Sequence, residues 1–126
     1  MRYKVKIDHQ EKDLESLSAV RSTLDSIECC QSVKIFPRLT NEELESAYNI
    51  MKKTPNKKIK LKDLLNEIIG NEKEAMEEIL NEVYSDIQIV MIYGKIKSQL
   101  AKYLKKKEGI RWSYRTTEPR FWYEKS

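Results

Sequence analysis

Residues 87–126 read IQIVMIYGKIKSQLAKYLKKKEGIRWSYRTTEPRFWYEKS, and this stretch decides the expected fold. Its first half has apolar residues at helical spacing, which predicts a helix over about residues 87–107 that ends at Gly109. From Ile110 apolar and polar residues alternate, and the pattern resumes over 120–124 after a turn, which predicts a β-hairpin. The expected inward face of the helix holds Ile89, Ile92, Tyr93, Ile96, Leu100, Tyr103 and Leu104.

Positive charge is concentrated in this same third of the chain. Residues 87–126 hold ten Lys or Arg against three Glu, a net charge of +7. Residues 63–86 carry −7 and residues 1–62 carry +4. A basic segment that is also rich in aromatic residues is the electrostatic footprint of a polyanion-binding protein. A Lys- and Glu-rich surface without a binding role explains the charge equally well.

The upstream sequence predicts a fold of the α+β class that is mainly helical. Residues 2–7 alternate as a strand with one buried side, residues 12–29 have helical spacing, and residues 32–36 form a second short strand. This β-α-β extension, residues 1–38, is too small to bury its own faces. It is therefore expected to pack on a main domain formed by residues 39–126.

The main domain is expected to begin with a helix whose N-cap is Thr40 and whose capping box is completed by Glu43. A short strand, Ile59 to Leu61, leads directly into a second helix. Residues 72–84 then form an acidic helix with its glutamates toward solvent, and Asp86 is expected to cap the basic helix. The exposed glutamates of the acidic helix are Glu72, Glu74, Glu77, Glu78 and Glu82.

From Thr40 onward the order is helix, short strand, helix, acidic helix, basic helix and hairpin. This order resembles the winged helix-turn-helix family over about residues 40–124, with the hairpin as the wing. The resemblance implies a DNA-binding protein, a transcriptional regulator or a replication accessory factor, of a kind common among archaeal and viral regulators. The acidic helix departs from the family pattern, which joins the second and third helices by a tight turn. The apolar positions that carry the resemblance are Leu44, Ala47, Tyr48, Met51, Ile59, Leu61, Leu64, Leu65, Ile68, Ile96, Leu100 and Leu104.

The charge and the resemblance together place the expected DNA contacts on the basic helix and the wing. With Ile96 at the centre of the buried face, the opposite face holds Gly94, Ala101 and several lysines. Lysines there would bind phosphates, and Ser98 and Gln99 are the candidates to contact a base. An ordinary amphipathic helix with a lysine-rich outer side is the structural alternative. The residues expected to bind DNA are Lys97, Ser98, Lys102, Lys105, Arg111, Arg115 and Arg120.

Most aromatic residues of the hairpin are expected to pack rather than bind. Trp112, Tyr114, Phe121 and Tyr123 lie on one side and form cross-strand pairs against the basic helix. Trp122 lies on the other side, where it can stack on a base or enter a partner interface. A lysine cluster after the first helix either extends a phosphate track or forms a solvated turn. Its members are Lys52, Lys53, Lys57, Lys58, Lys60 and Lys62.

Catalysis, cofactors and metals are not expected, because no constellation of chemically active residues appears. His9 is the only histidine, and the adjacent Cys29 and Cys30 lack the spacing of a chelating pair. Two reduced thiols fit a reducing cytosol. No apolar run approaches the roughly 20 residues of a membrane span, so a soluble, cytoplasmic protein without a membrane partner is expected.

Double-stranded DNA is the expected partner. A homodimer is also expected, because one winged helix covers only one half-site. The N-terminal extension and the acidic helix 72–84 would then serve dimerisation or a protein partner. The alternative function is a protein–protein adaptor or a viral inhibitor that uses the winged-helix scaffold to bind a protein.

Overall fold

The computed structural model describes residues 1–28, 31–114 and 118–125, which form an α+β fold with small antiparallel sheets. Cys29 and Cys30 therefore lie outside the described residues. In chain order the elements are β1 Arg2–Ile7, β2 Gln10–Leu14, α1 Leu17–Asp25, β3 Val33–Arg38, α2 Asn41–Lys53, β4 Ile59–Lys60, α3 Leu61–Ile69, α4 Glu72–Val83, α5 Asp86–Lys105, β5 Ile110–Ser113 and β6 Arg120–Tyr123.

The chain divides into two compact units. The first unit consists of Met1–Leu39 and Asn71–Ile96, and the second consists of Thr40–Gly70 and Lys97–Ser126. The predicted extension, residues 1–38, is thus only part of the first unit, which also contains the acidic helix α4.

The first unit has a three-stranded antiparallel sheet in the order β2-β1-β3. The two strands and the helix of the predicted β-α-β extension are present, but the prediction missed a strand. Residues 10–14, expected as a turn and the start of the helix, form a strand that pairs with β1. Helix α1 begins only at Leu17, since the side chain of Ser16 caps it by accepting from the N–H of Ala19 at 3.2 Å. The chain turns between β1 and β2 at Asp8, whose φ of 54° lies in the left-handed region.

The outer edge of β3 is closed to further strands. The N–H of Ile35 donates to the hydroxyl of Tyr84 at 2.7 Å, and that hydroxyl lies 3.4 Å from the carbonyl oxygen of Ile35. Pro37, expected to end the strand, lies within β3, where an edge position tolerates its missing N–H. One hydroxyl and one proline therefore occupy the positions at which another strand would pair.

Replacing Tyr84 by Phe tests this closure. The Tyr84→Phe variant keeps the ring but leaves the buried N–H of Ile35 without its acceptor, so the free energy of unfolding should fall by about 1–3 kcal/mol. Urea denaturation measures the change. Tyr114→Phe removes an exposed hydroxyl and should leave stability nearly unchanged; equal losses in both variants would contradict the assignment.

The second unit has a three-stranded antiparallel sheet in the order β4-β6-β5, so β6 is central. Phe121 on β6 is fully buried and lies opposite Ile59 on β4 and Trp112 on β5. The predicted hairpin is confirmed, as is the capping box of Thr40 and Glu43 at the start of α2. The unit's other buried residues include Leu44, Ala47, Met51, Leu61, Leu64, Leu65, Ile69, Leu100, Ala101, Leu104 and Ile110.

Residues close to each end of α5 determine where the helix begins and ends. Ser85, and not the predicted Asp86, caps the helix: its hydroxyl accepts from the N–H of Gln88, and the Gln88 amide oxygen accepts from the N–H of Ser85 at 2.9 Å. Asp86 is the first helical residue. At the other end Gly109 has a φ of +83°, and a Cβ there would lie 2.6 Å from the ring of Tyr123. Only glycine fits this turn into β5.

Helix α2 is fastened to the end of α5 by Glu45. Its carboxylate accepts from the hydroxyl of Tyr103 and from Lys107 Nζ, the latter at 2.9 Å. These two donors lower the pKa of Glu45 below its ordinary 4.5, and the same carboxylate raises the pKa of Lys107. Nearby, the hydroxyl of Tyr48 donates to the carbonyl oxygen of Glu108 at 2.8 Å.

Because the folded state lowers the pKa of Glu45, its contribution to stability is present above pH 4.5 and is lost as pH falls through the lower, folded-state pKa. Glu45→Gln should therefore make the melting temperature fall less steeply below pH 4.5 than it does in the parent chain. Thermal unfolding across a pH series measures the slope. Glu42→Gln, an exposed change on the same helix, should leave the slope as it is in the parent; an unchanged slope in Glu45→Gln would contradict the expectation.

Candidate nucleic-acid interface

The second half of α5 and the strand that follows it form a surface of lysines and exposed aromatic rings. Ser98, Lys102 and Lys105 are exposed and lie on one side of the helix, at i, i+4 and i+7. The ammonium of Lys105 lies 5.4 Å from the ring centre of Trp112 and 4.7 Å from that of Tyr114. We call these five residues the lysine–aromatic face.

The positions of the strands explain why the two rings of the lysine–aromatic face are exposed. Trp112 and Phe121 lie opposite each other, with ring centres 6.4 Å apart, yet Phe121 is fully buried and Trp112 is 41% exposed. Phe121 is on the central strand, whereas Trp112 is on the edge strand β5 and has a neighbour on one side only. Tyr114, just beyond β5, is 52% exposed. The expected cross-strand pair of Trp112 with Phe121 is present. Burial in the core holds for Phe121 and in part for the half-buried Tyr123, and is wrong for Trp112 and Tyr114.

The side of α5 that was expected to contact DNA exposes fewer residues than expected. Ala101 is buried and Lys97 is half-buried. Lys97 Nζ lies 3.7 Å from Glu118 Oε2, and the other oxygen of Glu118 accepts from the N–H of Lys62 at 2.9 Å. Glu118 thus caps the start of α3 and holds Lys97 at once. Pro119, the last residue before β6, is fastened to the same helix, because its carbonyl oxygen accepts from the N–H of Leu61.

The arginines expected in the interface are separated from the lysine–aromatic face. Arg111 and Arg120 lie on the other side of the sheet from Trp112, as the alternation of β5 and β6 requires. Arg111 pairs with Glu124 at 2.9 Å. Arg120 is half-buried, and its Nε has no hydrogen-bond partner among the described residues. Arg115 lies outside the described residues.

An open cavity of about 340 Å³ lies beside Arg120, lined by both lysines and carboxylates. Lys58 and Lys60 on its wall are faced by Asp63 and Glu67, so the predicted phosphate track is not uniformly positive here. Lys58 also lies over the ring of Trp122, 5.0 Å from its centre, on a side chain that was expected either to stack on a base or to enter a partner interface.

Several glutamates of α4 are engaged within the first unit and are not simply solvated as expected. Glu72 accepts from the hydroxyl of Tyr3 at 2.5 Å, and Glu77 accepts from the hydroxyl of Tyr93 at 2.9 Å. Glu82 pairs with Arg21. The bond to Glu77 and burial both raise the pKa of Tyr93, with burial the larger cause. The exposed acids of α4 are Glu74, Glu78 and Glu82, and of these Glu82 carries the ion pair with Arg21.

Sequence reasoning thus found the helical part of the lysine–aromatic face and missed its two rings. Of the residues predicted to bind DNA, the structure brings together Ser98, Lys102 and Lys105. Trp112 and Tyr114 were misassigned because alternation identifies the side of a strand, and not whether anything covers that side. Their position directly after the basic helix was the one sequence feature that could have indicated that these rings belong to the same surface.

Within the described part of the chain, no three His, Cys, Asp or Glu side chains lie close enough to hold a metal ion. The described helices also include none with the length and apolar character needed to cross a membrane. No protein-family model, curated protein or solved structure matches the chain. Its function is therefore inferred from the geometry of this chain alone.

The difference in burial between the paired rings has a measurable consequence. Phe121→Ala should lower the free energy of unfolding by about 3–5 kcal/mol, as deletions of buried aromatic rings do. Trp112→Ala should cost less, because 41% of this residue is already in water. Urea denaturation of both variants compares the two losses; a greater loss for Trp112→Ala would show that this ring is part of the core.

Proposed function

We propose that the chain binds duplex DNA through the lysine–aromatic face, and that the second unit is a winged-helix domain. The order α2, β4, α3, α5, β5, β6 with the sheet order β4-β6-β5 supports the domain assignment. The interposed helix α4 belongs to the first unit. The second unit therefore contains three helical segments and a hairpin without the element that departs from the family pattern.

The single observation that carries the proposal is the exposed row Ser98, Lys102 and Lys105, continued by Trp112 and Tyr114. Neither lysine of this row forms an ion pair with a described residue, so both ammonium groups are available to phosphates. The small side chain of Ser98, one turn before Lys102, keeps this side of the helix slim enough for a major groove about 12 Å wide. The indole N–H and the phenol hydroxyl are donors that suit phosphate oxygens beside the groove.

Fluorescence anisotropy with a labelled duplex at about 50 and 200 mM salt tests the proposal. Binding should weaken steeply with salt because each neutralised phosphate releases counterions. Lys102→Ala with Lys105→Ala should weaken binding and reduce the slope of log K against log salt by about 2, one per lost phosphate contact. The matched control, Lys12→Ala with Lys34→Ala, removes the same charge from exposed positions of the first unit and should change the slope much less.

Two further results would bear on the proposal. Glu74→Lys with Glu78→Lys should leave affinity unchanged or raise it, since α4 is expected to face away from DNA. Equal losses in the lysine variant and its control would contradict a localised face. An absence of binding at the lower salt would leave the protein–protein adaptor as the better explanation of the scaffold.

A further inference from the structure

The first half of α5 has a second apolar row that nothing covers in the described structure. Ile87, Val90 and Met91 are 76%, 69% and 62% exposed. Gly94 follows on the same side, one turn further along. The buried residues Ile89 and Ile96 lie on the opposite side of this helix. We call Ile87, Val90, Met91 and Gly94 the α5 stripe; a helix that is apolar on two sides is normally buried on both.

Gly94 is not explained by the fold of a single chain. A Cβ built at this position meets nothing within 4 Å, and the residue has no positive φ to require glycine. Glycine in a helix interior costs about 1 kcal/mol relative to alanine. A missing side chain on an exposed apolar row is what close approach of another helix requires.

We propose that the α5 stripe is the dimer interface of this protein, where it packs antiparallel against the same stripe of a second copy. Antiparallel pairing about a two-fold axis between Val90 and Met91 sets the protruding Ile87 of one copy over the partner's Gly94. Val90 then lies against the partner's Val90, and Met91 against the partner's Met91, on the two flanks of the axis. The stripe is thus complementary to itself in shape, as a two-fold interface must be.

The charges beside the stripe favour the same orientation. Residues 86–95 of α5 include two charged residues, Asp86 at one end and Lys95 at the other. Antiparallel pairing brings the acidic end of one helix to the basic end of the other. Parallel pairing would instead set the two Asp86 carboxylates at one level along the helix pair and the two Lys95 ammonium groups at another.

Other occupants fit this surface less well. A β-strand cannot extend the adjoining sheet, because Tyr84 and Pro37 close the edge of β3. The stripe continues into a groove of about 270 Å³ with walls that include Phe36 and Ile92, which enlarges the apolar area around Met91. The stripe alone is smaller than the roughly 800 Å² per partner of a stable interface. The dimer is therefore expected to be weak, with a dissociation constant in the micromolar range or above.

Sedimentation velocity over a range from low micromolar to submillimolar chain tests the proposal without DNA, so its outcome is separate from that of the proposed function. The parent chain should change from monomer to dimer. Met91→Glu and Gly94→Leu should both remain monomeric. Gly94→Leu is the sharper variant because it adds apolar surface and helix propensity, so its melting temperature should stay level or rise while the dimer is lost.

The matched control is Glu74→Leu, which adds the same side chain at an exposed helical position of the first unit away from the stripe. It should dimerise as the parent does. A parent chain that stays monomeric throughout would overturn the proposal, and so would a Gly94→Leu variant that dimerises with undiminished affinity.

Disulfide trapping tests the orientation, in a chain whose native cysteines are replaced by serine. Val90→Cys lies near the proposed two-fold axis and should cross-link to itself on oxidation. Ile87→Cys should not, because antiparallel pairing separates the two copies of this residue by about 10 Å along the helix axis. Ready cross-linking of Ile87→Cys would exclude the antiparallel arrangement.

Discussion

The segment from Pro119 to Glu124 holds the second unit together through its main chain. Its central part is β6, which pairs with β4 on one side and β5 on the other. The carbonyl oxygen of Tyr123 accepts from the N–H of Asn56, and the N–H of Glu124 donates to the carbonyl oxygen of Gly109, each at 2.7 Å. Turns that follow α2 and α5 are thereby attached to one strand. Because buried main-chain groups must be paired, displacing this strand would expose groups in every segment around it.

This arrangement also separates the packing role of the hairpin from its proposed binding role. The central strand buries Phe121, while the edge strand leaves Trp112 partly in water beside Lys105. Glu118 neutralises Lys97 and caps α3, so that charge serves the fold. The proposed DNA contacts are therefore the side chains that the sheet and α3 do not use.

Helix α5 illustrates how far periodicity can be followed. Its length and its buried row were predicted within two residues at each end, because apolar residues at helical spacing are a local signal. The sequence pattern alone did not distinguish the second row, Ile87, Val90 and Met91, from the buried row. In an unbroken run of apolar residues, periodicity cannot indicate which side the rest of the chain covers.

By itself the sequence determined the α+β class, the capping box of α2, the helices α2 to α5 and the hairpin. These depend on contacts between residues close in the chain, such as Thr40 with Glu43. Tertiary structure alone decided that residues 10–14 form a strand, that Glu118 holds Lys97, and that Trp112 is exposed while Phe121 is not. Each of these depends on which residues lie alongside in the sheet or at the start of a helix distant in sequence. The spacing of residue types along the chain does not indicate those neighbours.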